Sequence, residues 1–176
     1  MSPTCQRTKN PMAIVTPVSV FNGPLEFGIR AALLLTAAYP VALDVNRLVA
    51  LDYLVVHSGD VPGGPPSLHA PSPMRAGELS IRRNLVEQGL QLLCSRGLVN
   101  RFFRIDGITY QANDLGSLYV ASMSGAYFDS LRERAAWVIP ITEGMEWPLL
   151  NELLSRTSDV WKSEFVDLDE ASTTNK

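Results

Sequence analysis

Apolar positions in the first two thirds of the chain fall into three helical blocks. From Pro24 to about Tyr39 the residues Leu25, Phe27, Ile29, Leu33, Leu34 and Leu35 are apolar nearly all round, and only Glu26 and Arg30, one turn apart, make a narrow polar stripe. A helix of that kind belongs in the centre of a fold. Asn22-Gly23-Pro24 reads as its start, with Asn22 as the cap and Pro24 in the first turn, and Pro40 ends it. Asp44 then caps a second helix, Val45 to about Val56, whose apolar surface is Leu48, Val49, Leu51, Tyr53 and Leu54. The third runs from about Glu78 to Arg96 and stops at Gly97. At about 100° per residue, Ile81, Leu85, Val86, Leu90, Leu92 and Leu93 cover roughly half its circumference, facing away from Arg83, Asn84, Glu87, Gln88, Gln91 and Ser95.

After Gly97 the period changes. Leu98 to Ile105 and Ile108 to Gln111 flank Asp106-Gly107, a dipeptide favoured in two-residue hairpin turns. Three helices followed by a hairpin is the order of a winged helix, a variant of helix-turn-helix architecture. The expected fold is therefore mainly α with a small β-hairpin, a winged-helix core extended by C-terminal helices. Asn113 caps a long fourth helix toward Trp137, bent at Ser124-Gly125; Pro140 breaks the chain, and a last helix spans about Glu143 to Phe165. This divides the chain into a polar tail (1–20), a winged-helix domain (21–112) holding a long loop (57–75), a helical extension (113–166) and a second tail (167–176).

Charge adds one asymmetry to this picture. The net charge is −3, yet Arg75, Arg82, Arg83, Arg96, Arg101 and Arg104 against Glu78 and Glu87 give the segment 75–104 a charge of +4. Such a segment suits nucleic acid or an acidic partner. Arg83, Arg101 and Arg104 are the candidate DNA contacts. The outer face of the third helix opposes Arg83 with Glu87, and Arg82 and Arg96 lie within its apolar arc, so phosphate contact is expected to be weak and without sequence preference. Cys5 and Cys94 sit in unlike contexts, one in a polar tail and one in an apolar run, so a reducing cytoplasm is expected. The apolar run from Ala31 to Leu43 is too short to span a membrane. Pro11 and Pro17 interrupt the only segment resembling a signal peptide.

Candidate chemistry concentrates in the loop. His57 and His69 are the only histidines; they bracket Ser58 and Asp60, with five prolines and three glycines between positions 57 and 75. A hydrolase would use Ser58, a histidine and Asp60, but the strand-turn-helix elbow that exposes such a serine is missing. A metal site would use His57, Asp60, His69 and Cys94, at a spacing that matches no usual zinc pattern. Gly63-Gly64-Pro65-Pro66 is not a phosphate loop, because no Gly-Lys-Ser/Thr follows and prolines have no N–H to offer. No enzyme activity and no cofactor is expected. The stiff loop reads instead as a preformed docking surface, with His57, Asp60, Pro66, Leu68 and His69 as partner-binding candidates and Leu68 as its exposed apolar residue. Trp161 and Phe165, four residues apart on one helical face, are a second pair of candidates.

The segments LDYLVVHSGD (Leu51 to Asp60), GPPSLH (Gly64 to His69) and GELSIRR (Gly77 to Arg83), with DGITYQA (Asp106 to Ala112) and LRERAAWV (Leu131 to Val138), resemble the middle component of bacterial ABC-three-component systems. They are similar to the small subunit that accompanies an SMC-like ATPase and an effector in Lamassu-type anti-phage operons, over roughly residues 20–165. The resemblance implies a non-catalytic winged-helix adaptor in a hetero-oligomer with an SMC/ABC-type ATPase and an effector subunit, coupling DNA sensing to an effector nuclease. A dimeric winged-helix transcriptional regulator is the alternative, and a hydrolase or metalloprotein built on the histidine loop is a third.

Overall fold

The computed structural model describes residues 23–70, 75–105 and 107–155, with the backbone path alone for 75–80. Trp161, Phe165 and Asn22 lie outside the described residues, and the cap position of the first helix is taken by Gly23 and not by Asn22. Among the described residues, six helices and three short strands follow in the order α1 (Pro24–Ala38), β1 (Leu43–Asp44), α2 (Val45–Val56), α3 (Arg75–Ser95), β2 (Val99–Arg104), β3 (Gly107–Ala112), α4 (Asp114–Ala121), α5 (Ala126–Thr142) and α6 (147–155). The fold is mainly helical with a small antiparallel sheet.

The central helix lies where its pattern places it. α1 touches α2, α3, α4 and α5, and Phe27, Ala31, Ala32, Leu33, Leu34 and Leu35 are buried. It meets α3 at a glycine pair: a β-carbon built on Gly89 falls 2.5 Å from the Gly28 nitrogen and 2.5 Å from the Pro24 carbonyl oxygen. The two backbones touch there because neither residue carries a side chain. α2 is buried continuously from Leu48 to Val56.

Caps set three of the helix boundaries. Asp44 accepts a 3.0 Å hydrogen bond from the Arg47 N–H at the start of α2, and Asn113 accepts one of 2.8 Å from the Gly116 N–H at the start of α4. Gly97, at φ +69°, closes α3 while the Leu98 N–H bonds to the Leu93 carbonyl at 2.9 Å. The sheet has the order β1-β3-β2. Val99 pairs with Ala112 and Arg104 with Gly107 along the hairpin, and Leu43 pairs with Tyr110 across the other side of β3.

Several expectations are corrected. The strand β1 has only two residues, between the cis Tyr39-Pro40 peptide and the α2 cap, and gives no hydrophobic pattern to detect. Gly107 opens β3, opposite Arg104, and is not a loop residue. The long fourth helix is two helices. Gly125 adopts φ +117° at the break, and Arg132 of α5 donates to the carbonyls of Val120 (3.1 Å) and Met123 across it. Pro140 does not break the chain: α5 continues through it to Thr142, whose hydroxyl donates 2.8 Å to the Val138 carbonyl. The turn comes at Gly144 (φ +71°), held by Arg47 donating to Thr142 and Met145 carbonyls at 2.5 and 2.8 Å, so α6 starts at 147 and not at Glu143. The third helix begins at Arg75, which shortens the loop.

Candidate functional site

Arg30 belongs to the polar stripe of α1, yet it is 1% exposed. The stripe faces inward because a carboxylate waits for it: Asp52, fully buried on α2, accepts from Arg30 Nε at 2.6 Å. Arg82 of α3 reaches the other oxygen of Asp52. Arg30 also donates to Glu26 one turn back, at 2.6 Å. One carboxylate thus bridges two guanidiniums from different helices, so three helices meet on a single charge. Burial pushes the Asp52 carboxyl up, and Arg30 and Arg82 together overcome it and hold it below its ordinary value. The same burial works against the Arg30 charge, and Asp52 and Glu26 outweigh it and raise the guanidinium pKa. The Arg30 and Arg82 guanidiniums also stand 4.2 and 5.5 Å from the centre of the Phe27 ring.

The histidine loop is built onto the end of α2. Ser58–Asp60 forms one 3₁₀ turn, and the Leu68 and His69 N–H groups both donate to the Val56 carbonyl, at 2.9 and 3.0 Å. Inside that frame, Ser58 Oγ donates to the Pro66 carbonyl at 3.2 Å, Tyr53 donates to Asp60 at 2.8 Å, and the Gly59 N–H donates to Ser67 Oγ at 3.0 Å. Arg134 of α5 donates twice to the Pro66 carbonyl, at 3.1 and 3.3 Å. Gly64 passes so close to the Ser58 carbonyl that a β-carbon would collide with it. Pro66 is exposed, but Leu68 is half-buried and packed on the core, so it is not the exposed apolar residue expected of the loop.

His57 and His69 come together, their rings 6.2 Å apart at right angles, and His57 lies against Tyr53 at 4.7 Å. His69 Nε2 lies 2.9 Å from the Tyr127 hydroxyl, which in turn lies 3.4 Å from Glu26. A polar chain therefore runs from His69 through Tyr127, Glu26 and Arg30 to Asp52 and Arg82. All of its members but Asp52 line one wall of an open cavity of about 1020 Å³ whose other walls include Leu25, Ile29, Ile81, Leu85 and Phe128, on α1, α3 and α5. Burial, with Arg30 and His57 nearby, lowers the His69 pKa against the pull of Glu26. Burial also pushes the Tyr127 phenol up. At neutral pH, then, His69 is uncharged and Tyr127 protonated.

The sequence placed the histidines in one loop but gave no sign of Glu26, Arg30, Asp52, Arg82 or Tyr127, which come from four helices. Ser58 is buried and bonded to a backbone carbonyl, and Asp60 is turned toward Tyr53, so the serine-histidine-aspartate set is not assembled. No group of three or more histidine, cysteine, aspartate or glutamate side chains among the described residues is placed to hold a metal ion. Of the DNA candidates, Arg83 is tied to Glu87 at 3.0 Å and to Asn46. Arg101 and Arg104 lie on the hairpin, over the rings of Phe103 (5.1 Å) and Phe102 (6.0 Å). Among the described residues no helix is long and apolar enough to cross a membrane.

These features define a helical chain with a small sheet, a stiffened loop and an open, largely apolar cavity with one polar wall. Residues 20–164 match the family described as ABC-three component (ABC-3C) system Middle Component 2, and the chain belongs to that family. Membership implies a place in a multi-component, defence-type system and partners in a hetero-complex. No curated protein and no solved structure matches it significantly.

Proposed function

We propose that this chain is a non-catalytic adaptor that docks on the SMC/ABC-type ATPase of its system and links that ATPase to an effector nuclease, in the cytoplasm, as in Lamassu-type defence. The observation that carries the reading is the histidine loop. Ser58, Asp60, the Pro66 carbonyl and the Leu68 and His69 N–H groups that donate to the Val56 carbonyl spend their hydrogen bonds on the shape of the loop. A surface made rigid in this way binds with little further ordering cost. The arrangement α1-β1-α2-α3-β2-β3, with β1 beside β3, supports a winged-helix assignment in which α3 is the recognition helix and β2–β3 the wing. The engagement of Arg83 by Glu87 speaks against that helix reading DNA as a transcriptional regulator would.

Co-expression with the products of the neighbouring genes tests the proposal. The tagged chain is expected to bring down an ATPase, and the purified chain alone to lack nuclease and ATPase activity and stoichiometric zinc. Pro66→Glu alters an exposed side chain while keeping the carbonyl that Ser58 and Arg134 use, and it is expected to weaken assembly with an unchanged melting temperature. A chain that purifies alone and binds an operator sequence at nanomolar concentration would overturn the adaptor reading.

A further inference from the structure

Gly23, where the described chain begins, lines the cavity, and Leu25 and Ile29 of α1 continue its wall from there. Ile81 and Leu85 of α3 and Phe128 of α5 complete the apolar lining. Leu25 is 51% exposed and Ile81 65%, although α1 and α3 pack on each other at the centre of the fold. A contiguous apolar surface of this kind marks a place where something docks. The charges of the polar wall make no demand on the occupant, because Arg30 and Arg82 are paired with Asp52, and Arg30 with Glu26 as well. The cavity suits an uncharged, apolar segment, since a charge brought into it would lose its water without gaining a partner.

We propose that the occupant is residues 12–21 of this same chain. The tail that precedes α1 is polar only at its start: its last charge is Lys9, and residues 12–21 carry Met12, Ile14, Val15, Val18, Val20 and Phe21 and no charge. Phe21 stands two positions before Gly23, within about 7 Å of the cavity wall along the backbone. Ten residues reach about 33 Å when extended, enough to cross a cavity of about 1020 Å³. Joined to the wall through Asn22, the segment meets the cavity at an effective concentration of about millimolar. A free partner of similar chemistry, or the same segment of a second copy, lacks that advantage. Two other stretches of the chain fit less well. The one between Ala70 and Arg75 also borders the cavity, but it has four residues, is tied at both ends and offers one long apolar side chain, Met74. Residues 156–176 set Asp159, Lys162, Glu164 and Asp167 among Val160, Trp161, Phe165 and Val166, so burying those apolar groups would bury charge with them. None of this rests on the adaptor reading.

The test is made on the full chain with labelled Ile, Leu, Val and Met methyl groups. Nuclear Overhauser contacts are expected from Val18 and Val20 to Ile29, Ile81 and Leu85, and this measurement needs no variant to fold. Contacts from Met74, or from Val160 and Val166, in place of those from Val18 and Val20 would overturn the proposal. So would contacts between labelled and unlabelled chains in a mixed sample, the mark of a second copy. Val18→Asp with Val20→Asp, in the full chain, gives the complementary measurement with an apolar fluorescent dye. Two carboxylates oppose docking, so the variant is expected to bind the dye about tenfold or more tightly than the unaltered chain. A free peptide of residues 11–22 with the natural sequence should then displace the dye. Equal dye binding by both chains, or dye that the peptide leaves in place while a co-purified partner protein removes it, would assign the cavity to another occupant and overturn the proposal.

Discussion

Asp52 accepts from guanidiniums on two helices, and removing it leaves both charges buried and facing one another. Asp52→Ala is therefore expected to cost about 3–5 kcal/mol in urea unfolding, the range for a buried ion pair broken on one side. Replacing Arg30, Asp52 and Arg82 together by apolar residues of similar size should cost much less. Because the folded pKa of Asp52 lies below its unfolded value of about 3.9, its contribution is complete above that pH and is lost as pH falls through the folded value. His69 acts in the same sense from a different side. Its folded pKa is depressed, so the unfolded chain binds the proton more readily and stability falls as pH drops below about 6.5. Between about pH 7.5 and 5.5 the melting temperature should decrease, and His69→Gln should flatten that slope. None of this was legible in the residues one at a time. Glu26 and Arg30 read only as a narrow polar stripe because spacing shows which residues share a face, and the charge that draws Arg30 inward sits 22 positions away.

The helix ends were legible wherever the chain caps itself, at Asp44, Gly97 and Asn113, because a cap is a contact between near neighbours in sequence. The bend expected at Ser124-Gly125 is a full break, held by Arg132, and the end of α5 was misplaced because Arg47, far off in sequence, holds the turn after Thr142. The two-residue strand β1 has no pattern of its own and exists because β3 offers it an edge. The crossing of α1 and α3 depends on two glycines that look unfavourable in helices until the elements are set side by side. Gly89→Ala drives a methyl group into the α1 backbone and is expected to cost about 1–3 kcal/mol, with Gly28→Ala milder because its nearest contact is 3.0 Å. Urea titration of both variants gives the ranking, and equal stability would place slack between the helices.

As a whole the molecule presents a largely apolar cavity with one polar wall, a fixed loop and a hairpin edge, while the outer face of α3 is neutralised by Arg83 and Glu87. Binding of the isolated chain to duplex DNA is expected to be weak, indifferent to sequence, and lost between about 50 and 200 mM salt, as phosphate contacts are. A fluorescence titration at both salt concentrations checks this. The mainly helical architecture with its small sheet followed from hydrophobic period and caps. The cavity did not, because its wall is drawn from α1, α3, α5 and the histidine loop and no local period records their meeting. The cluster on Asp52 has a consequence for ancestry. A lineage that altered Arg30, Asp52 or Arg82 singly would pass through a chain with a stranded charge in its core, a step that selection rejects. Among descendants of a common ancestor the three positions should accordingly change together or stay together, and an alignment of relatives should show them as a correlated trio, while neighbours such as Ile81 and Arg83 drift independently.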